Sequence, residues 1–321
     1  MTQPIILSTQ PLDQYAEQTL SQFGQFKIAA EPTMQGLQRE IAEAIALVVR
    51  GQVQITAALM DAAPHLKVIG RTGVGYETVD IEAATARGIT VVYAPGAGAR
   101  AVAEAAFAFM LALCKKVAHW DYETKRGNWQ SRIASQGTDL DQKTLGIVGL
   151  GRIGQIVAKM AKPFEMNIIA HDPYLDPLIA QDLGVTLVDL DTLMAQADFL
   201  TLHCPQNPET MGLINRARLQ RMKHGAFLLN LARGGVIESL DPIYEMLVSG
   251  QLRGAALDVF LVEPPDHTHP IFGLQNCLVS PHAMATSEGA MRRIYESMAN
   301  DMAAVLAGAT PIFAVNPETL K

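Results

Sequence analysis

Thr144-Leu145-Gly146-Ile147-Val148-Gly149-Leu150-Gly151-Arg152-Ile153-Gly154 is the stretch on which the fold turns. Its apolar run at 145–148 reads as a buried strand, three glycines follow in the spacing GxGxxG, and residues 155–161 have helical character. A hexapeptide of that form is weak evidence alone. Here it follows a strand, opens a helix and has Asp172 eighteen residues beyond Gly154, which is what a dinucleotide-binding turn requires. Gly149 permits the tight turn, Gly151 lets a pyrophosphate approach the backbone, and Gly154 allows close packing of helix on strand. Unpaired N–H groups at the helix start then meet the phosphates. Asp172 would accept hydrogen bonds from the adenine ribose hydroxyls and repel a 2′-phosphate, which favours NAD over NADP.

Working outward, strand-like runs at 168–170, 199–202, 226–231, 255–259 and 278–279 continue a strand–helix alternation after the glycine turn. A separate alternation precedes it, with strand-like runs at 5–7, 45–49, 68–70 and 89–92 and helical stretches at 35–46 and 78–87. Alternation of this kind implies parallel sheets covered on both faces. The expected architecture is two α/β units: residues 101–288 forming a cofactor domain, and residues 1–100 plus 289–321 forming a substrate domain. The second assignment rests on the last helix, about 291–306, packing back on the first unit. The chain would then cross twice between domains, making a hinge over a cleft.

Composition supports this layout. A chain of 321 residues exceeds one comfortable core, and 49% hydrophobic against 18% charged residues describes a globular protein. The net charge of -7 argues against a nucleic-acid binder. Cys114, Cys204 and Cys277 are sparse and without CxxC spacing, which suits reduced thiols and a cytoplasmic location. The N-terminus lacks the layout of a secretory signal. The longest apolar stretch, 101–114, contains Glu104 and is too short for a bilayer, so no membrane association is expected. His267-Thr268-His269 has no convincing third ligand, so no metal is expected.

Reduction of a 2-keto acid needs a held carboxylate, a polarised carbonyl and a supplied proton. Arginine does the first two through its planar fork. A protonated histidine does the third, and a nearby carboxylate favours that state and orients the ring. Arg233 follows the run 226–231, Asp258 ends the run 255–259 with Glu263 soon after, and His282 follows the final run. All sit at presumed carboxyl ends of strands, where open α/β sheets place ligands.

Several ordered motifs make the chain resemble the D-isomer-specific 2-hydroxyacid dehydrogenase family, within it the 3-phosphoglycerate dehydrogenase type in its short form without a regulatory domain. They are Arg71-Thr72-Gly73-Val74-Gly75, the glycine turn, His203-Cys204-Pro205, Met222-Lys223-His224-Gly225-Ala226, the residues 230–235 and 255–260, and Ser280-Pro281-His282. The resemblance implies a Rossmann cofactor domain and a flavodoxin-like substrate domain, both doubly wound. It implies that Arg233 binds the substrate carboxylate and carbonyl oxygen, that His282 is the acid–base and that Glu263 orients it. Asp258 would hold the nicotinamide carboxamide, and Arg152 and Ile153 would meet the pyrophosphate. Cys204, Leu231 and Ala232 would line the cofactor, with Ala285 near the nicotinamide. Backbone N–H groups around Val74 and Gly75 would help hold the substrate carboxylate.

Two features depart from the phosphoglycerate type: Gly98 and Ala99 replace an Asn and a small hydroxylated residue, and Gly51 replaces a serine. Arg50 matches a family arginine that could meet a phosphate. With Arg71 it either builds an anion pocket or forms surface ion pairs. The implied partner is a small anionic 2-hydroxy or 2-keto acid: 3-phosphoglycerate, or alternatively hydroxypyruvate, glyoxylate or a relative. An NAD(H)-sensing corepressor-like binding protein is the alternative of another class. Family analogy implies a homodimer through residues 101–142, with Trp120 and Trp129, and domain closure on ligand binding.

Overall fold

The computed structural model describes residues 3–320 apart from Val74. Contacts divide the chain into two units, Met1–Gly98 with Thr286–Lys321, and Ala99–Ala285.

The first unit contains β1 (Ile5–Ser8), β2 (Gln25–Ile28), β3 (Ala44–Val49), β4 (Val68–Arg71) and β5 (Thr90–Val92) in the order β2-β1-β3-β4-β5. All four pairings are parallel, and the order is that of a flavodoxin-like sheet. Alternate residues face opposite layers, as a period of two dictates. Leu7, Leu47, Val49, Ile69 and Val91 pack towards the helices Met34–Glu40, Ala57–Asp61 and Ile81–Ala86. Ile6, Ala46, Val48, Val68 and Val92 pack towards Gln14–Ser21 and Glu288–Leu306. Ser287 caps the last of these by accepting from the Ala290 N–H. The helical stretch expected over 35–46 ends at Glu40, because Ala44–Val49 forms the fully covered strand β3. Strand β2 was not expected. It is a mostly exposed edge strand with no apolar run to mark it.

The second unit continues with β6 (Thr144–Val148), β7 (Asn167–His171), β8 (Thr186–Leu187), β9 (Phe199–Leu202), β10 (Ala226–Asn230), β11 (Leu252–Leu257) and β12 (Cys277–Val279). Their order, β12-β11-β10-β9-β6-β7-β8, is parallel throughout. The chain winds one way from β6 to β7 and β8, then returns to β9 on the other side. The crevice between the ends of β6 and β9 is therefore a topological switch point, where such sheets bind nucleotides. Leu145, Ile147, Phe199, Phe227 and Leu229 pack towards the helices Ala99–Cys114 and Arg152–Ala161. Val148, Leu200, Leu202, Leu228 and Leu257 pack towards Leu190–Gln196 and Asp241–Ser249. Each such side chain contributes about 1.5–3 kcal/mol when fully buried. The result is a rigid sheet whose carboxyl edge carries the loops that matter. Among the described residues, no helix is long and apolar enough to cross a membrane.

Candidate active site

At the switch point the three glycines of the turn have three different surroundings. Gly149 has φ +88, and an added Cβ would lie 2.7 Å from the Cys204 nitrogen. A Cβ on Gly154 would lie 2.2 Å from the Gly149 carbonyl oxygen. Gly151 differs: a Cβ there would meet nothing within 4 Å. Two glycines are thus filled by the chain itself, and the third opens on space. The helix Arg152–Ala161 starts there with no side-chain cap. Its first turn leaves N–H groups available to an anion. Asp172, two residues past the β7 core, accepts from the Leu150 N–H (2.8 Å) and the Tyr174 N–H (3.1 Å). The turn and the carboxylate are one hydrogen-bonded piece.

Cys204 is buried beside Gly149, and burial, with the Asp172 charge, pushes its thiol up to about 11. It stays protonated and small, which suits a wall better than a nucleophile. Neighbouring His203 is pushed down to about 3 by burial. Its Nε2 pairs with Thr201 Oγ1 at 2.9 Å, and its buried Nδ1 has no partner.

Adjacent strands β10, β11 and β12 bring Arg233, Asp258, Glu263 and His282 to one edge. His282 Nδ1 donates to Glu263 Oε2 at 2.8 Å, and the Phe260 N–H donates to Glu263 Oε1 at 3.0 Å. Both carboxylate oxygens are held, and the imidazole keeps Nε2 for another partner. His282 has φ +54, an uncommon conformation for a side-chain-bearing residue, costing about 1–3 kcal/mol. Asp258 holds it there. The Asp258 carbonyl accepts from the His282 N–H (2.8 Å). Its carboxylate, 4% exposed, accepts from Ser280 Oγ (2.6 Å), Ala283 N–H (2.9 Å) and Met284 N–H (3.3 Å). Sequence reasoning missed this anchoring role, since no spacing rule connects residue 258 to 280–284. Arg233 is extended (φ −143, ψ 148) and half-buried, one guanidinium nitrogen donating to the Ala232 carbonyl at 2.9 Å. Asn230, fully buried, ties the loop by donating to the Arg233 carbonyl and accepting from the Ala232 N–H. Leu231 and Ala232 are buried beneath it, and Ala285 is half-buried at the end of the unit.

In the first unit, Arg71 is the last residue of β4. It is buried, and donates to the carbonyls of Val49 (3.2 Å), Gly51 (2.9 Å) and Gly75 (2.9 Å). Arg50 lies 5.9 Å from the Tyr295 ring centroid, and its backbone exchanges hydrogen bonds with Thr9. Val74, expected to meet the substrate, lies outside the described residues. The His267–His269 segment is a helix cap: His269 Nδ1 accepts from the Ile271 N–H (3.2 Å) and Nε2 meets Asp241 (3.1 Å). Among the described residues, no cluster suits a metal ion.

A seven-stranded parallel sheet with this glycine turn at its switch point defines a nucleotide-dependent α/β protein. Comparison with known proteins narrows that class. The chain belongs to the D-isomer specific 2-hydroxyacid dehydrogenases, whose NAD-binding domain matches residues 107–284. It is 38% identical over 97% of its length to the D-3-phosphoglycerate dehydrogenase of Archaeoglobus fulgidus, of which it spans 59%. It is 40% identical over 88% of its length to the hydroxypyruvate reductase of Thermotoga maritima, covering 92% of that protein. The D-lactate dehydrogenase of Aquifex aeolicus, solved with NAD and lactic acid, superposes with a TM-score of 0.85 at 26% identity, over 97% of this chain and 99% of that one. NAD is the cofactor this domain takes, and the open space at Gly151 with the uncapped helix start fits its pyrophosphate.

Proposed function

We propose that the protein is an NAD-dependent dehydrogenase of a small D-2-hydroxy acid. NAD supplies the hydride acceptor, or as NADH the donor. The residues do the rest. Arg233 grips the substrate carboxylate and polarises the oxygen at C2. His282 Nε2 takes the hydroxyl proton on oxidation and returns it on reduction, while Glu263 holds the ring in place through Nδ1. Asp258 reaches this chemistry through the 280–284 loop and, as proposed, through the nicotinamide carboxamide. Gly151, Arg152 and Ile153 meet the pyrophosphate, Gly149 and Gly154 shape the turn beneath it, Asp172 meets the ribose, and Cys204, Leu231, Ala232 and Ala285 the rest of the cofactor. Arg50 and Gly75 are assigned to the substrate.

The observation that carries this reading is the hydrogen-bonded Glu263–His282 pair one strand away from an arginine loop. Substrates to test first are 3-phosphoglycerate in oxidation and hydroxypyruvate in reduction, the chemistries named for the two relatives above. His282→Ala and Arg233→Ala should each keep the fold and NADH binding and lose turnover by roughly a hundredfold to ten-thousandfold. Near-normal turnover in either variant removes the assignment, and no turnover with any 2-keto acid favours a cofactor-sensing protein instead.

A homodimer is part of the proposal. The helix Val117–Lys125 buries none of its residues, and Val117, Tyr122, Trp129 (63%) and Ile133 (75%) are exposed. That much apolar surface on adjoining segments suits a two-fold contact. A monomeric mass by light scattering would count against it.

A further inference from the structure

Gly234 follows Arg233 directly, and its φ is not in the left-handed region. Conformation does not demand glycine here, but space does. A Cβ at this position would lie 1.9 Å from the Phe260 carbonyl carbon, 2.0 Å from its oxygen and 2.4 Å from the Leu261 nitrogen. These are backbone atoms, which cannot swing aside as a side-chain tip can. The residue it touches also holds the other half of the site, since the Phe260 N–H donates to Glu263 Oε1 and Glu263 Oε2 accepts from His282 Nδ1. The arginine loop has little freedom to retreat. Asn230 holds the Arg233 carbonyl (3.0 Å), and the N–H groups of Gly212 and Ile214 donate to the carbonyls of Gly235 and Val236 at 2.8 and 2.9 Å.

We infer that Gly234 is a positioning residue: its close approach to the Phe260 peptide sets the spacing between the Arg233 guanidinium and the Glu263–His282 pair. The inference rests on the dehydrogenase reading. Its neighbour provides a matched control. A Cβ on Gly235 would meet Gln206 Oε1 at 2.6 Å and Met211 Sδ at 2.9 Å, the far ends of two exposed side chains, the first held, among the described residues, only by the hydrogen bond it accepts from the Gly235 N–H (3.0 Å). Those can move; the Phe260 peptide cannot. Two adjacent glycines in one loop therefore separate an effect on spacing from the general cost of adding a methyl group.

The test compares Gly234→Ala with Gly235→Ala for kcat, keto-acid KM, NADH affinity and the low-field proton resonance of the His282 Nδ1–H. Gly234→Ala should lower kcat by about a hundredfold, with NADH affinity changed by less than about threefold and the resonance displaced, as misplacement near 1 Å does. Gly235→Ala should keep all four near wild type. Should Gly234→Ala fail to fold, Leu261→Gly takes its place. It removes an exposed side chain while loosening the abutted peptide, and should lower kcat and broaden the same resonance. Wild-type kcat per NADH site and an unmoved resonance in whichever variant folds overturn the inference. If His282→Ala is inactive at that point, only the spacing role has failed; if His282→Ala is active, the dehydrogenase reading has failed with it.

Discussion

At the scale of single residues, Asp258 shows how a buried charge positions a neighbour. Its carboxylate accepts three hydrogen bonds from the segment 280–284, and its carbonyl a fourth from His282 itself. Burying a carboxylate is unfavourable unless such donors surround it. Their removal is correspondingly damaging, because the partners stay behind unsatisfied. Asp258→Ala should destabilise the second unit by about 3 kcal/mol or more, with hydrogen bonds to a charged group at stake. It should also lower turnover sharply, because the 280–284 segment that carries His282 then loses three hydrogen bonds to the carboxylate and keeps from Asp258 the bond to its backbone carbonyl. Asp258→Asn retains one acceptor and should fall between the two. Thermal melts read the first effect, and steady-state kinetics the second. A fully active Asp258→Ala protein would mean that the 280–284 loop holds itself.

At the scale of elements, the glycine turn was legible because each requirement is local: strand, three glycines, helix and an acid at the next strand end. The structure adds that the three glycines do different work. Gly154→Ala forces a methyl group onto the Gly149 carbonyl and should lower both stability and NADH affinity. Gly151→Ala meets nothing in the protein, so the melting temperature should stay within a few degrees while NADH binding weakens about tenfold or more, each factor of ten being 1.4 kcal/mol. Fluorescence titration with NADH decides between the two variants. Unchanged affinity in Gly151→Ala would show that the pyrophosphate does not lie over that residue. Other elements left weaker traces. Strands β3, β4, β6, β9 and β10 are buried on both faces and read as apolar runs, whereas β2 is an exposed edge and β8 has two residues. Catalytic candidates were legible because polar residues stood at strand ends. The Gly234–Phe260 approach and the Arg71 hydrogen bonds to Val49 and Gly51 were not, since they join segments apart in sequence that come together only in the folded chain.

At the scale of the molecule, the buried groups near the sheet edge set a pH window for stability. His203 belongs to the second unit, and burial lowers it from 6.5 to about 3. A depressed histidine is neutral in the native state while the unfolded chain gains a proton below 6.5. Its contribution is therefore complete above pH 6.5 and is lost progressively as pH falls towards 3. At pH 5 that loss is about 2 kcal/mol, from a shift of 1.36 kcal/mol per pKa unit. Cys204 and Cys277, pushed by burial from 9.0 to about 11 and about 12, act on the opposite side. Both stay protonated when folded, so their contribution is complete below pH 9 and is lost as the unfolded thiols ionise above it. Asp301, in the first unit, is raised by burial despite the N–H groups of Ile312 and Phe313, so acid relieves rather than harms it. The two units should accordingly respond differently to acid. Calorimetry between pH 8 and pH 4.5 should show the second unit's transition moving down, and His203→Asn should flatten that dependence while leaving the alkaline decline above pH 9 in place. A wild-type profile that is flat from pH 8 to 4.5, or an acid-side slope unchanged in His203→Asn, would mean that the imidazole reaches water in the native protein and that its unpaired Nδ1 is not excluded from solvent.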